Sequence, residues 1–244
     1  MKKIIIYGGT SLISIHLINL YIADINEIVA FVRNKKKFLN LCNEFINNFD
    51  SNKKKIITIQ VDIIDLKNNF KIIKNFNNNF YDGLIFLVGS TGDPKTEFEN
   101  YKLCEANYKI NLLHPVLIIN SLTKKLKSNS FICVFTSVAG IRGRNLRLFY
   151  CSAKAGLISY LSGLRQKLES KNILVTNFIA GYMSTAKFKY DSYSFLISNP
   201  KNIASKVYNS IKHRKETVYS SFVWYLISNI LKFIPEKIFK KLNF

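Results

Sequence analysis

The sequence predicts an α/β protein with a doubly wound parallel sheet. Apolar runs rich in Ile and Val recur along the chain, and segments long enough for helices separate them. The runs are continuously apolar instead of alternating with polar residues, which is typical of strands covered by helices on both faces. The predicted strands are 3–7, 27–33, 55–61, 83–88, 130–136 and 173–179.

Helices are predicted between these strands, at 11–22, 35–48, 66–76, 98–126, 150–170 and 202–212. Strand–helix–strand units of this kind form right-handed crossovers and build a Rossmann-type sheet. We expect residues 1–215 to form this domain. Residues 216–244 differ in character and are predicted to be an amphipathic, basic C-terminal tail.

The composition restricts the class of protein and of partner. The chain has 244 residues with 36 Lys and Arg against 15 Asp and Glu, so its net charge is +21. Its 48% hydrophobic residues can bury a core, which excludes a disordered polybasic protein. The shortage of acidic residues indicates a phosphate-bearing ligand, an acidic protein or an anionic membrane surface. Nucleic acid is not expected, because the lysines are spread along the whole chain.

The four cysteines have neither the spacing of a metal site nor that of a disulfide framework. They are Cys42, Cys104, Cys133 and Cys151, and no histidine lies beside them at ligand spacing. We therefore expect no metal and a reduced, cytoplasmic protein. The first residues show no export signal.

A glycine turn follows the first predicted strand and precedes the first helix. It reads Gly8-Gly9-Thr10-Ser11-Leu12-Ile13-Ser14. Glycine lets the backbone approach a pyrophosphate, and a helix N-terminus supplies N–H groups. The segment from Gly8 to Ile13 is therefore a candidate phosphate cradle, although a purely structural turn is the alternative.

The residues after strands two and three are candidates for the adenosine end of a dinucleotide. No acidic residue ends strand two, whereas Arg33 is placed there and Lys35 follows. An arginine at this position can pair with a ribose 2′-phosphate, so NADP(H) is favoured over NAD(H). Asp62, just after strand three, is a candidate for the adenine edge or for a helix cap.

A tyrosine and a lysine four residues apart carry the predicted chemistry. Tyr150 and Lys154 share one face of the predicted helix 150–170. We expect the ammonium group of Lys154 to lower the pKa of the Tyr150 phenol, which would then exchange a proton with a carbonyl or alcohol oxygen. Ser137 comes thirteen residues before Tyr150, at the end of a strand that can face this helix.

With these residues the chain resembles the short-chain dehydrogenase/reductase family. The matching residues are Tyr150-x-x-x-Lys154, Ser137 and Asn111 in the middle helix. The resemblance implies that Tyr150 is the acid/base, that Lys154 lowers its pKa and holds the nicotinamide ribose, and that Ser137 orients the substrate oxygen. It further implies that Asn111 supports a proton-relay water. Gly89 and Thr185 are implied to lie near the cofactor.

The chain departs from the family pattern in the cofactor loops. The usual Gly-x-x-x-Gly-x-Gly reads Gly8, Leu12 and Ser14, so two glycines are lost. Phe86-Leu87-Val88-Gly89 stands for Asn-Asn-Ala-Gly, and Ala180-Gly181 stands for Pro-Gly. A catalytically weak scaffold or sensor is therefore an alternative to the enzyme.

The tail is predicted to be a helix with an unusually wide apolar surface. Its polar residues Ser221, Tyr225, Ser228 and Lys232 share one narrow stripe, and Pro235 ends the helix. About 14 residues are too few to span a bilayer, but they suit a helix in a membrane interface. A lid over the substrate or a dimer contact is the alternative.

The loops and tail are loosely similar to those of decaprenylphosphoryl-2-keto-ribose reductases. The similarity lies in the Gly-Gly-Thr-Ser turn, the Gly89-Ser-Thr-Gly-Asp loop and the run from Arg142 to Arg147. It implies a keto sugar linked to a polyprenyl phosphate, handled at the inner face of a membrane. A 3-oxoacyl reductase is the alternative enzyme, and the family resemblance implies a homo-oligomer.

Overall fold

The computed structural model describes residues 2–46, 55–76, 80–92, 100–184 and 194–242. The strands in these ranges are β1 (Lys3–Tyr7), β2 (Glu27–Val32), β3 (Lys55–Gln60), β4 (Tyr81–Phe86), β5 (Leu126–Ser137), β6 (Leu174–Ala180), β7 (Tyr182–Met183), β8 (Ile197–Ser198) and β9 (Thr217–Tyr219). Seven of them form one parallel sheet in the order β3-β2-β1-β4-β5-β6-β9, and β7 pairs with β8.

The described helices are α1 (Leu12–Tyr21), α2 (Lys35–Phe45), α3 (Leu66–Asn75), α4 (Tyr101–Tyr108), α5 (His114–Thr123), α6 (Leu148–Leu168), α7 (Pro200–Lys212), α8 (Phe222–Phe233) and α9 (Glu236–Phe239). A π-helical turn, Lys109–Leu113, joins α4 to α5. The single helix predicted at 98–126 is therefore interrupted, and β5 already begins at Leu126. In the described ranges, no helix combines the length and apolarity that crossing a bilayer requires.

Helices cover both faces of the sheet, which confirms the predicted fold class. Side chains of β1 alternate between the faces, because successive residues of a strand point in opposite directions. Ile4 and Ile6 belong to one buried cluster, with residues of α1, α2 and α7. Ile5 and Tyr7 belong to a second cluster, with residues of α3, α5 and α6. All six residues of β2 are buried.

The last strand of the sheet, β9, lies inside residues 216–244, which the sequence predicted to be the tail. β9 pairs with β6 from Asn177↔Thr217 to Ile179↔Tyr219, and the tail helix α8 begins only at Phe222. Three residues are too few to form a recognisable apolar run, so the sequence pattern gave no sign of this strand. Its pairing fixes the start of α8 next to the carboxyl end of β6.

The strand order places a crevice between β1 and β4. The chain leaves β1 toward β2 on one side and reaches β4 on the other, so this is the point where the winding reverses. Ligands of open α/β sheets bind at such a point, outside the carboxyl ends of the strands. Gly8 and Gly9 follow β1 at this edge, and Gly89 follows β4.

Candidate active site

The glycine turn is pressed between the ends of β2 and β4. The N–H groups of Gly8 and Gly9 both donate to the carbonyl oxygen of Phe31, each at 3.0 Å. Gly8 has a φ of 96°, which favours glycine, and a Cβ on Gly9 would lie 2.7 Å from Cγ1 of Val32. Glycine is therefore required at both positions for the turn to lie this close to the sheet.

Ser14 accommodates the loss of a family glycine without opening the turn. Its side chain is fully buried, and its Oγ donates to the carbonyl oxygen of Gly8 at 2.8 Å. The hydroxyl group therefore braces the same turn from the helix side.

Leu12, at the other lost glycine, is the first residue of α1 and is 36% exposed. Ser11 is the N-cap of α1, but its side chain makes no capping hydrogen bond. The first N–H groups of a helix have no partner within that helix and suit an anion. The turn, which contains Gly8 and Gly9, therefore fits the pyrophosphate of a dinucleotide.

The predicted adenosine-end residues lie at the same edge of the sheet. Arg33 is exposed directly after β2, and Asn34 caps α2 by accepting from the N–H of Lys37 at 2.8 Å. Asp62 is exposed after β3 and accepts from the N–H of Ile64 at 3.1 Å. The helix cap considered for Asp62 belongs to Asp65 instead, which accepts from the N–H of Asn68.

Asn111 is a buried anchor for the loop after β4. It lies in the π-helical turn, where its Oδ1 accepts from the N–H of Ser90 at 3.0 Å. Its Nδ2 donates to the carbonyl oxygen of Ser90 at 2.8 Å and to Oδ1 of Asn107 at 2.8 Å. π-helical turns occur frequently at functional sites. Here the turn rotates the amide inward, so that both backbone groups of Ser90 are held.

Gly89 allows two of the predicted catalytic residues to approach the same loop. A Cβ at Gly89 would lie 2.9 Å from Nζ of Lys154 and 3.2 Å from Oδ1 of Asn111. Any larger residue would displace one of these polar groups. Gly89 therefore brings the end of β4 against the candidate catalytic residues.

Gly140 brings Ser137 against α6. A Cβ at Gly140 would lie 2.7 Å from the carbonyl carbon of Lys154 and 2.9 Å from the amide nitrogen of Ala155. This contact seats the short 3-10 turn Val138–Gly140 on the helix. Ser137, immediately before the turn, accepts from the N–H of Ala139 at 3.1 Å, and it lies close enough to the Tyr150 hydroxyl to lower the pKa of that tyrosine.

The electrostatics of Tyr150 differ from the expectation that Lys154 lowers its pKa. Burial raises the pKa of Tyr150, and the lowering influences are the Ser137 hydrogen bond and the charges of Arg144 and Arg147. Lys154 is 3% exposed, and its Nζ lies 5.8 Å from the centroid of the Tyr150 ring. Burial lowers the pKa of Lys154 itself to about 8. Desolvation therefore dominates both groups.

Comparison with known proteins identifies the family. The family described as short chain dehydrogenase matches residues 2–192. The chain belongs to the short-chain dehydrogenase family. Over 142 residues it is 27% identical to a ketoacyl reductase, HetN, of Nostoc sp. strain PCC 7120, covering 54% of this chain and 50% of the relative. Over 112 residues it is 32% identical to the 3-oxoacyl-[acyl-carrier-protein] reductase of Aquifex aeolicus, covering 44% and 45%. The matches thus span about half the length of these relatives.

Solved structures share the fold over nearly the whole chain. A short chain dehydrogenase from Burkholderia cenocepacia in complex with NADP has a TM-score of 0.78 at 15% identity, and the match covers 99% of both chains. The structure of BdcA in complex with NADPH has a TM-score of 0.73 at 15% identity, with 91% of this chain and 94% of that chain covered. At such low identity these matches describe the short-chain dehydrogenase fold.

Arg142 fixes the tail to the loop between Ser137 and α6, a role that sequence reasoning missed. Its guanidinium donates to the carbonyl oxygens of Leu231, at 2.7 Å, in the last turn of α8, and of Ile234, the residue that follows α8. It also donates to Glu236 at 2.7 Å and lies 3.9 Å from the centroid of the Phe239 ring. The expected polar stripe of α8 is only partly outward, because Ser228 is buried.

Trp224 fixes the other end of the tail helix to the short-chain dehydrogenase core. Its Nε1 donates to the carbonyl oxygen of Leu196 at 2.9 Å, and its ring packs edge-on against Tyr182. A Cβ on Gly181 would lie 2.0 Å from Nε1 of Trp224. The family's Pro-Gly position thus keeps its glycine here to seat the tail. Thr185, the last predicted cofactor residue, lies outside the described residues.

Proposed function

We propose that the chain is an NADP(H)-dependent oxidoreductase that interconverts a ketone and its alcohol. The observation that carries this proposal is the convergence of Ser137, Tyr150, Lys154 and Asn111 at the carboxyl edge of the sheet. Ser137 lowers the pKa of Tyr150, while Lys154 and Asn111 both border Gly89. A phosphate-compatible turn at Gly8 lies at the same edge of the crevice.

A bound nicotinamide supplies the hydride for reduction of the carbonyl carbon. The Tyr150 hydroxyl gives its proton to the developing alkoxide, and the Ser137 hydroxyl holds the substrate oxygen beside it. Lys154, next to Gly89, would hold the nicotinamide ribose. Because burial raises the pKa of Tyr150, the phenol stays protonated at neutral pH, which favours reduction over oxidation.

We propose that NADP(H) is preferred over NAD(H). Arg33 is exposed at the end of β2, directly beside the glycine turn, and no carboxylate occupies this strand end. A guanidinium can form two hydrogen bonds to a phosphate, whereas a ribose 2′-hydroxyl calls for a carboxylate. Asp62 is left for the adenine edge.

The substrate is proposed to carry a negative charge close to its ketone. Arg144 and Arg147 lower the pKa of Tyr150, so both positive charges act at the hydroxyl beside which the substrate oxygen would bind. Arg147 also donates to the carbonyl oxygens of Thr91 and Gly92 at 2.9 and 3.3 Å, which narrows the site on that side. A keto sugar on a polyprenyl phosphate meets this charge requirement.

A 3-oxoacyl reductase is the second candidate. The two relatives described above are a ketoacyl reductase and a 3-oxoacyl-[acyl-carrier-protein] reductase. An acidic carrier protein would also be attracted by a net charge of +21. The two candidates differ in the group that carries the ketone, so turnover of an acetoacetyl thioester and of a phosphorylated keto sugar distinguishes them.

Oxidation of NADPH by the full chain, with each of these ketones, tests the proposal. We expect turnover with one of them and a loss of about 100-fold or more in Tyr150→Phe. Tyr160→Phe is the matched control, because Tyr160 lies on the same helix and its hydroxyl contacts only Asn120 among the described residues. Turnover that survives in Tyr150→Phe would refute the role of Tyr150, whereas NADPH binding without any turnover would favour the scaffold.

We further propose a homo-oligomer that pairs through α4 and α6. Apolar side chains are exposed on and beside these helices, namely Tyr101, Leu103, Leu113 and Leu148. Light scattering on the full chain tests this: Leu113→Glu is expected to give a lower mass. A monomeric wild-type chain would contradict it.

A further inference from the structure

The outer face of the tail helix α8 is apolar, although it points into solvent. Phe222, Leu226, Ile230 and Phe233 recur at helical spacing and are 69%, 44%, 63% and 83% exposed. The inward face carries Trp224 and the buried Ser228, whose Oγ makes no hydrogen bond within the described residues. The helix therefore carries apolar side chains on its outer face as well as on the face that packs on the core, unlike an ordinary surface helix.

Basic side chains follow this apolar stripe at its C-terminal end. Lys232 lies in the last turn of α8, and Lys237, Lys240 and Lys241 follow on and after α9, all of them exposed. The acidic residue of the segment from Phe222 to Phe244, Glu236, is already bound by Arg142 at 2.7 Å. The segment therefore presents uncompensated positive charge beside its apolar surface.

A groove beside the first turn of α8 continues this surface. It has a volume of about 640 Å³ and contains none of the predicted catalytic residues. Lys206, His213 and Lys215 line it, and the aromatic rings of Phe222 and Tyr225, with centroids 6.0 Å apart, form its rim. Cations at the edge of an aromatic surface match the phosphates of lipid headgroups.

We propose that this outer face of α8 and α9 docks the protein on an anionic lipid bilayer. The apolar stripe lies at the boundary between headgroups and acyl chains, and the lysines contact lipid phosphates. A second copy of the chain is a poorer fit, because a symmetric contact would place the lysines against the same lysines.

The docking face lies next to the candidate active site. Arg142 and Trp224 fix α8 to the loop before α6 and to the end of β6, and Ser137 pairs in register with Ala180 at that same end. A bilayer under α8 would therefore face the side of the molecule where Tyr150 lies. This inference does not depend on the proposed reaction, since docking requires neither cofactor nor ketone.

Flotation of the full chain with vesicles, without nucleotide, tests the proposal. We expect binding to equimolar phosphatidylglycerol and phosphatidylcholine, no binding to phosphatidylcholine alone, and a decrease as salt is raised. Ile230→Glu and Phe233→Glu should each reduce the bound fraction at least about ten-fold. Phe80→Glu is the matched control and should bind like the wild type. Phe80 is 58% exposed and lies just before β4, at the amino end of that strand.

The emission of Trp224 shows whether a variant still has its tail docked on the core. If Ile230→Glu and Phe233→Glu disturb that emission, the pair Lys240→Gln and Lys241→Gln replaces them, and about a ten-fold loss of binding is expected. Absence of wild-type binding, or equal binding by these variants, overturns the proposal. If the wild type does not bind vesicles and Ile230→Glu has a lower mass than the wild type in solution, the face pairs two copies of the chain instead.

Discussion

Nζ of Lys154 lies 5.8 Å from the centroid of the Tyr150 ring, and the two side chains share one face of α6. The lysine is 3% exposed, and burial lowers its pKa to about 8. A cation held in so dry a position costs folding free energy, and its ammonium group borders Gly89 at the crevice. The proposed role of Lys154 therefore opposes stability.

Lys154→Met should stabilise the protein while abolishing turnover. A pKa lowered from 10.5 to about 8 corresponds to about 3 kcal/mol, and methionine removes that cost while filling a similar volume. Denaturant unfolding at pH 7 measures the gain. If Lys154→Met is less stable than the wild type at pH 7, other groups of the folded protein compensate the cost of burying the charged lysine.

The stability difference between Lys154→Met and the wild type should depend on pH. Between pH 8 and 10.5 the unfolded chain binds more protons at this lysine than the folded chain, so the stability of the wild type rises with pH there. The free-energy cost of burying the charged lysine is present in full below pH 8 and is lost above pH 10.5. The advantage of Lys154→Met should therefore shrink steadily across this window, and a constant difference would contradict the assignment.

Arg144→Ala should shift the pH profile of ketone reduction. The charge of Arg144 lowers the pKa of Tyr150, so its removal raises that pKa. Reduction requires the protonated phenol, and the alkaline decline of kcat should therefore move to higher pH. Arg214→Ala, on the turn after α7, is the control and should leave the profile unchanged. A shift to lower pH would contradict the electrostatic account.

Gly140→Ala should lower kcat by about 10- to 100-fold, because its Cβ pushes the turn before α6 away from Lys154 and separates Ser137 from Tyr150. Gly163→Ala, within the same helix, meets nothing within 4 Å and should instead stabilise the protein by up to about 1 kcal/mol. Steady-state kinetics and unfolding of both variants check the pair. Equal activity of the two would refute the role of the close contact.

Gly181→Ala should displace Trp224, since the new Cβ would lie 2.0 Å from its Nε1. Trp224 is the one tryptophan of the chain, so its fluorescence reports directly on the seat of α8. We expect a red-shifted emission that is more easily quenched. Gly143→Ala, in open space before α6, should leave the spectrum unchanged. An unaltered spectrum in Gly181→Ala would mean that the tail is seated by other contacts.

Much of the sheet was predictable because its strands are long and apolar. β1 has the predicted bounds, and α1 differs from its prediction by one residue at each end. The π-helical turn at Asn111 was not predictable from the sequence, because its register is fixed by hydrogen bonds to Ser90, a residue distant in sequence. β9 was missed because three residues carry no periodic signal.

The sequence predicted that Tyr150 and Lys154 lie together, but it could not predict their electrostatics. The spacing of Tyr150 and Lys154 placed both on one helix face, but the sequence could not show how deeply each is buried. Similarly, the tail pattern indicated an amphipathic helix, yet its orientation is set by Gly181 and Arg142, which lie elsewhere in the chain. Such contacts depend on tertiary packing.

A parallel fluorescence titration of the full chain with NADPH and NADH tests the claim that the crevice binds NADP(H). We predict that NADPH binds more tightly, that Arg33→Ala weakens NADPH about 10- to 100-fold with little effect on NADH, and that Lys74→Ala, at the far end of α3, changes neither. Binding of neither nucleotide to the wild type would contradict the claim and leave the fold as a scaffold.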